Sequence, residues 1–517
     1  MRNNENLIYV NENDNLAILL RNLEKNTEIS FFDKTIFLKQ DTFIGERIAI
    51  KNIKKGELLF QYGSKFAIAN QNIGIGENVT RDKIVDINEN FDDETIFNLK
   101  TNISNTISNN FEEIKNKKFK GIVRSDGKVG TRNYYVLIPT SFCATDIANK
   151  LSYKFDTQEY LELYPNIDGI VSAGHTEGCG CGSGDIIDRL MLVIKNFISH
   201  PNCGGALIID LGCEKTNYHV INKYLGNYKN MGKPINFLTI QEVGGTLKSL
   251  EKGKKIIRQN LSTINNIKRE DCELSKLIVG TECGASDSFS GLTANPLIGS
   301  IADKIVELNG SAILSETPEM LGAEHILLER MPSIDVRKRF INGINYYKNL
   351  AKSLNINIEG NLVAGNLKGG LINLTLKSLG SIQKGGTKEI VDFLDYGEEI
   401  RNKGLNIMNG PGNDFESMTG LISSGANIIL FSTGMGTTEG SLISPVVKVS
   451  SNSNLYNRMS DDIDFNAGRI LENESIESLS IEFFDYVVKV ASGEERTFSE
   501  KYRKRAFQIW SAGKLSL

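Results

Sequence analysis

Several features that would place a protein quickly are scarce or missing. There is no dense basic block, and the 59 basic residues are slightly outnumbered by 63 acidic ones. The resulting net charge of −4 argues against nucleic acid as a partner. No apolar run reaches the roughly 20 residues of a membrane-spanning helix. The opening stretch, MRNNENLIYVNENDN, is polar and acidic. It resembles neither a secretory signal nor a mitochondrial presequence, so the expected location is the cytosol. No glycine loop ends in Gly-Lys-Ser/Thr, and the glycines from Gly178 to Gly184 lack the spacing of a dinucleotide fingerprint. A nucleotide cofactor is therefore not expected. Histidine is rare, with four in the chain, and the seven cysteines are an odd number. Most cysteines sit beside glycine rather than in a disulfide framework, which in a reducing compartment makes them free thiols or ligands.

What is present is an alternating pattern. At 517 residues the chain is long enough for two to four domains. Residues 1–87 read as a small β-rich module, with short strands near Ile29–Phe32, Arg47–Ile50 and Leu58–Tyr62. Residues 88–120 are rich in Asn, Asp and Lys and read as a linker. Beyond Gly121, strand-like runs end in glycine-rich loops and helical patterns follow them. Examples are the strands at Tyr134–Ile138, Ile167–Ser172, Ala206–Asp210 and Ile235–Ile240. This alternation predicts an α/β body with largely parallel sheets, divided into domains at 121–355 and 356–517.

The stretch Leu277–Glu316 is the most informative part of that body. A short apolar run at Leu277-Ile278-Val279 leads into a loop rich in Gly, Ser, Thr and acids. Leu297, Ile301, Ile305 and Leu308 then mark one face of a helix, which Asn309-Gly310 stops. A second run, Ala312-Ile313-Leu314, ends at Glu316. The spacing predicts a βαβ unit whose strand ends carry Glu282, Cys283, Asp287, Glu316 and, just beyond, Glu319. Strand carboxyl ends are where such sheets collect chemistry.

His175, in Gly174-His175-Thr176-Glu177-Gly178-Cys179, stands at another predicted strand end and reads as functional. His200 and His219 read as structural, and His325 stays open. The thiols do not have the usual two-residue zinc spacing. An iron–sulfur cluster would need three or four converging thiols; Cys143, Cys179, Cys213 and Cys283 all fall at predicted strand ends. Because Glu, Asp, Asn and His exceed thiols in these loops, a divalent ion held by oxygen and nitrogen ligands is the expected cofactor.

A set of long motifs in one order resembles the altronate/galactarate dehydratases. They include the run from Gly121 through Gly130-Thr131-Arg132-Asn133-Tyr134, then HTEGCG, HPNCGGALIIDLGCE, TIQEVGGT, GTECGASDSFSGLTANPLIG, ETPEMLGAE, KSLGSIQKGGT, DDIDFNAG and VASGE. The resemblance implies an N-terminal SAF-like β module on a larger α/β body. It also implies a hydro-lyase using a divalent metal, typically iron(II) with manganese(II) as an alternative, on a sugar acid. The expected partner is the sugar acid itself, with no nucleic acid or membrane, and a homo-oligomer stays open. For such a reaction the candidate catalytic residues are His175, Glu282, Asp287 and Glu316, with His175, Glu282 and Asp287 also as metal ligands. Lys128, Arg132, Asn295 and Thr433 would bind substrate.

The chain also departs from the family pattern. Where the SAF-like module usually has Gly-His-Lys, this chain has Gly45-Glu46-Arg47. The usual Val-His-x-His-Asn reads Val79-Thr80-Arg81-Asp82-Lys83, so Glu46 and Asp82 are the replacements that could still offer oxygen ligands. Further on, Gly365-Asn366-Leu367-Lys368, Met408-Asn409-Gly410-Pro411 and Thr433-Gly434-Met435-Gly436 stand where the family has Gly-Asn-Lys, Met-Asp-Thr-Pro and Thr-Gly-Arg-Gly. Family members also include a lyase that expels sulfite, so a different leaving group, or a non-catalytic sugar-acid-binding paralogue, are the competing expectations.

Overall fold

The computed structural model describes all residues except 1, 4, 33, 88–90, 105, 180–183, 227 and 512–517. Cys181, in the glycine-rich stretch after His175, lies outside the described residues.

The N-terminal module is built from short antiparallel strands. Four of them (Arg2–Asn3, Leu7–Tyr9, Leu16–Leu19, Arg47–Ala49) pair in one sheet. Glu28–Phe31 pairs with Lys34–Phe37, and Leu58–Gln61, Ser64–Ala69 and Ile84–Asp86 form a third sheet. Tight turns with positive φ at Gly45, Gly56 and Tyr62-Gly63 join them.

The body contains two parallel sheets. The first has strands β1 (Tyr134–Pro139), β2 (Gly169–Ser172), β3 (Cys203–Asp210) and β4 (Ile235–Thr239), in the order β2-β1-β3-β4. Helices α1 (Phe142–Phe155), α2 (Asp185–Ser199) and α3 (Thr246–Asn265) accompany them. Both faces of this sheet are covered, which is why β1 and β3 are buried at every position and read as continuous apolar runs.

The second sheet has seven strands. They are β5 (Ile278–Gly284), β6 (Ser311–Leu314), β7 (Ile390–Leu394), β8 (Gly404–Met408), β9 (Ile428–Thr433), β10 (Val446–Ser450) and β11 (Phe465–Asn466). Their order is β7-β8-β6-β5-β9-β10-β11 and every pairing is parallel. Its helices include α4 (Ala294–Glu307), α5 (Ile334–Ser353), α6 (Leu374–Ser381), α7 (Asp414–Ser423) and α8 (Ile476–Ser492). The βαβ unit β5-α4-β6 sits at the centre. The chain adds strands first on one side of β5 and later on the other, which makes the β5/β9 border the topological switch point.

Two boundaries differ from the sequence reading. The division expected between 355 and 356 runs through the seven-stranded sheet, since β5 and β6 pair with strands from beyond it. Alternation along the chain shows that strands exist, not which ones pair. The expected linker is a strap laid against the body. Ile96 and Ile114 are buried, Arg337 donates to the Ile96 and Leu99 carbonyls at 2.9 Å, and Ser108 N–H donates to Glu307. Lys118–Val123 then pairs with Glu270–Glu273. A few buried apolar anchors suffice to dock a polar segment whose backbone is bonded by its neighbours. Among the described residues no helix is long and apolar enough to cross a membrane.

Candidate functional site

The carboxyl end of β5 carries Glu282 and Cys283, and the chain leaving β6 carries Glu316. Both exits are bent, with Ala285 at φ +51° and Glu316 at φ +70°. A left-handed conformation at a non-glycine residue costs energy and is held only where the surroundings require it. Helix α6 brings Lys377 and Ser381, the following turn brings Lys384, and the first turn of α7 brings Asp414 and Ser417.

These groups form one buried polar network. Lys384 Nζ lies 2.8 Å from Glu316 Oε2 and donates to Cys283 Sγ at 3.0 Å and Ser381 Oγ at 2.6 Å. Lys377 Nζ lies 2.8 Å from Glu319 Oε1, whose other oxygen accepts from Cys283 Sγ and Ser381 Oγ, each at 3.0 Å. Ser417 Oγ donates to Glu282 Oε2 at 2.6 Å, and the Cys283 N–H donates to Glu316 Oε2 at 3.0 Å. Glu282, Glu316 and Lys384 have no exposed surface at all, whereas Asp414 is half-buried and reaches the edge.

Electrostatics separates the carboxyl groups. Burial, then Glu316 and Asp414, drive Glu282 well above the usual carboxylate range. Glu316 is also raised, by burial and by Glu319 against the opposing Lys384. Asp414 is pushed up to about 7 by burial and the same glutamates. Burial would also raise Glu319, but Lys377 and Lys384 outweigh it and hold it at about 2. The cysteine thiol is driven up by burial and by Glu316 and Glu319 and stays protonated. Glu282 and Glu316 thus form a coupled pair that does not tolerate two full charges.

The arrangement fits a divalent ion. Oε1 of Glu282 and Oε1 of Glu316 are buried with no amide, hydroxyl or ammonium group donating to them, and the two carboxyls are close enough to share a proton. One oxygen each of Glu282, Glu316 and Asp414 lie within 4.8 Å of one another. Four carboxyl groups here face two ammonium groups, so a doubly charged hard cation would complete both the charge and the ligation.

A cavity of about 740 Å³ opens on the other flank of β5, at the switch point. It is lined by the loops after β5, β9 and β10 and by the N-terminal module, including Asp287, Lys368, Met435, Asn452, Arg458 and Ile44. The module is anchored beside it by Arg47, which is buried and donates to Ser288 Oγ at 2.9 Å and to the Gly370 carbonyl at 2.5 Å.

The structure thus brings Glu282 and Glu316 together and places the other expected residues elsewhere. Asp287 accepts five hydrogen bonds, from the Phe289 and Ser290 amides, Ser290 Oγ, Ser451 Oγ and Asn452 Nδ2. It therefore organises its loop and has no oxygen to spare for a metal. His175 belongs to the four-stranded sheet, where Nε2 lies 2.8 Å from the Pro139 carbonyl and Nδ1 accepts from the Glu177 amide. Burial holds it neutral, at about 4.

Arg132 is fully buried in a bidentate pair with Glu500 and also donates to the Thr131 and Val490 carbonyls. That leaves nothing for a substrate carboxylate. Lys128 is at the surface with Glu399. Asn295 bonds the Gly380 carbonyl and Ser432, and Thr433 Oγ1 accepts from the Gly436 amide. Both are buried and positional. Glu46 accepts from the Phe43 amide and Asn78 within its own module, and Asp82 is exposed. Neither reaches the carboxylate network. Lys377, Lys384 and Asp414 were not singled out by the sequence reading; the available signal was two lysines inside the glycine- and serine-rich run KSLGSIQKGGT.

Comparison with known proteins agrees with this architecture. Residues 5–87 match the altronate/galactarate dehydratase SAF domain, 121–265 the second domain of D-galactarate dehydratase/altronate hydrolase, and 274–515 the D-galactarate/altronate dehydratase C-terminal domain. The altronate dehydratase of Bacillus subtilis (strain 168) is 34% identical over 95% of this chain and 96% of its own. That of Escherichia coli (strain K12) is 32% identical over 97% and 98%. The (2R)-sulfolactate sulfo-lyase subunit beta of Chromohalobacter salexigens is 28% identical over 77% of this chain and 98% of its own. The chain belongs to the altronate/galactarate dehydratase family and, as a member of it, is an enzyme of the hydro-lyase class.

Proposed function

We propose that the chain dehydrates a sugar acid of the altronate or galactarate type to a 2-keto-3-deoxy acid, with the network around Glu282 and Glu316 as its catalytic centre. The observation that carries this reading is the pair of buried carboxylate oxygens on Glu282 and Glu316 that no amide, hydroxyl or ammonium group satisfies, set beside Asp414 at the ends of β5 and β6. Abstracting the proton next to a carboxylate produces a dianionic enediolate, so the reaction needs concentrated positive charge. Lys377 and Lys384 supply part of it, since the surrounding acids keep both as ammonium ions. Glu282, Glu316 and Asp414 would hold the divalent ion, for which iron(II) is the first choice and manganese(II) the second. Such an ion supplies Lewis-acid stabilisation of the developing charge. Asp414, the half-buried member, marks the side from which a substrate would enter. A cytosolic location suits this role.

A second reading changes only the leaving group. The sulfo-lyase relative supports it, as do Lys368 and Arg458, two cations on a cavity large enough for a small dianion.

The test is turnover of the anaerobic, iron(II)-loaded chain on aldonic, aldaric and sulfonated hydroxy acids, following keto acid and sulfite, with Glu282→Gln alongside. Keto acid formation, reduced about 10²–10⁴-fold in the variant, is expected. Sulfite release selects the second reading, and unchanged turnover by a folded Glu282→Gln variant removes this centre from the reaction.

A further inference from the structure

The carboxyl edge of the four-stranded sheet carries a second cluster that the proposed reaction does not use. Three neighbouring parallel strands, β2, β1 and β3, end side by side. Cysteines follow all three: Cys143 after β1, in the first turn of α1, Cys179 and Cys181 after β2, the latter outside the described residues, and Cys213 after β3.

These loops are laced together. Thr216 Oγ1 donates to the Thr140 carbonyl at 2.6 Å and approaches the Gly178 carbonyl at 3.3 Å. Glu214 Oε1 accepts from Thr140 Oγ1 and Ser141 Oγ, and the Phe142 amide donates to the Glu177 carbonyl. Gly178 and Gly212, directly before Cys179 and Cys213, hold φ of +95° and +124°. A Cβ on Gly178 would stand 2.3 Å from the Thr140 carbonyl oxygen. The backbone is thus drawn in tightly just where the thiols are presented.

The cysteines meet as a result. Cys179, Cys213 and Glu214 all stand close enough to Cys143 to act on its thiol electrostatically. All three cysteines are exposed, unlike Cys203, Cys272 and Cys283, which are buried. A free cysteine kept for packing is usually buried. Cys143 also lies in the first turn of α1, a 14-residue helix with no acidic residue in that turn and no side-chain cap on Ser141. The amide groups at such an end favour negative charge.

We propose that Cys143, Cys179 and Cys213 supply three of the thiolates of a site for a [4Fe–4S] cluster. Convergence of three thiolates is the minimum such a cluster needs. A single tetrahedral zinc would draw its sulfurs to within about 4 Å of each other. No three thiols among the described residues stand within 4.8 Å. A cubane holds its thiolates farther apart.

The test is anaerobic reconstitution of the full chain with ferrous iron, sulfide and a thiol reductant, followed by desalting. Iron, acid-labile sulfide and visible absorbance are read for wild type, Cys143→Ser, Cys179→Ser, Cys213→Ser and the control Cys272→Ser. About four iron and about four sulfide per chain are expected for wild type and the control, with a several-fold loss in each of the three variants. Circular dichroism checks that the variants fold. Wild type without labile sulfide, stoichiometric zinc that iron and sulfide do not displace, a disulfide between Cys143 and Cys179 that persists under reductant, or an equal loss in Cys272→Ser would each overturn the assignment. Because the readout is iron and sulfide rather than turnover, its failure is distinct from failure of the dehydration reading.

Discussion

Lys384 is the residue on which the buried network turns. Its ammonium touches Glu316, Cys283 and Ser381 and has no exposed surface. Replacing it by Met would leave Glu316 buried without its cation, which typically costs about 3–5 kcal/mol. Chemical denaturation of Lys384→Met should show a loss of that order unless Glu316 takes up a proton. A pH titration of the variant's stability separates the two outcomes.

A second residue-scale expectation concerns acid. Glu500 is held at about 2; burial works against this, but Arg132 and Arg496 outweigh it. Between its ordinary value of 4.5 and about 2 the unfolded chain binds more protons than the folded one. The pair's stabilisation is therefore complete above pH 4.5 and is lost as pH falls toward 2, for about 3 kcal/mol in all. His175 and His200, kept neutral by burial to about 4 and about 3, lose stability in the same direction from about pH 6.5 downward. Urea midpoints of wild type and Glu500→Gln should therefore converge below pH 4.5. Parallel curves down to pH 3 would contradict the role given to Glu500.

At the scale of elements, the turn carrying Lys384 rests on helix α4. Gly299 of α4 lets the Gln383 carbonyl approach so closely that a Cβ there would stand 2.1 Å from its oxygen and 2.9 Å from the Gly386 amide. Both neighbours are backbone, so the turn itself has to move. Gly299→Ala is expected to cost about 1–3 kcal/mol, as overpacking does. It should also lower kcat by displacing Lys384, although Gly299 touches none of the reacting groups. A shifted melting temperature with unaltered kcat would show that the turn position does not govern the site. The helical repeat of Leu297, Ile301 and Ile305 announced α4, but nothing in that repeat says which carbonyl it will meet.

At the scale of the molecule, the N-terminal module is held by a buried cation. Arg47 bridges from its own sheet to Ser288 and Gly370, the loops that flank the 740 Å³ cavity. Burial lowers its affinity for a proton and Tyr62 opposes that effect, so the guanidinium keeps its charge. Arg47→Ala should loosen the docking before it unfolds the body. The expected readouts are faster protease cleavage between residues 88 and 120 and a cooperative transition of the body that changes little. One concerted loss of both transitions would mean that the module and body do not separate.

Local pattern was enough for the β-rich start, the alternating α/β body, the βαβ unit from Leu277 to Glu316 and the family, because period, turn residues and ordered motifs are properties of neighbours along the chain. Glu282 and Glu316 were legible for the same reason, as acids at strand ends. The partners of those acids were decided by the tertiary structure alone. Strand order placed β5 and β6 in one sheet with strands from beyond residue 355, and helix α6 with the turn after it delivered two lysines from about 65 residues beyond Glu316. Burial then turned Arg132, Asp287 and His175 from candidate ligands into structural pairs and loop anchors. Charge and hydrogen-bonding capacity are carried by the residue. Whether a group spends them on its own fold or keeps them for a ligand depends on what packs against it, and no local spacing records that.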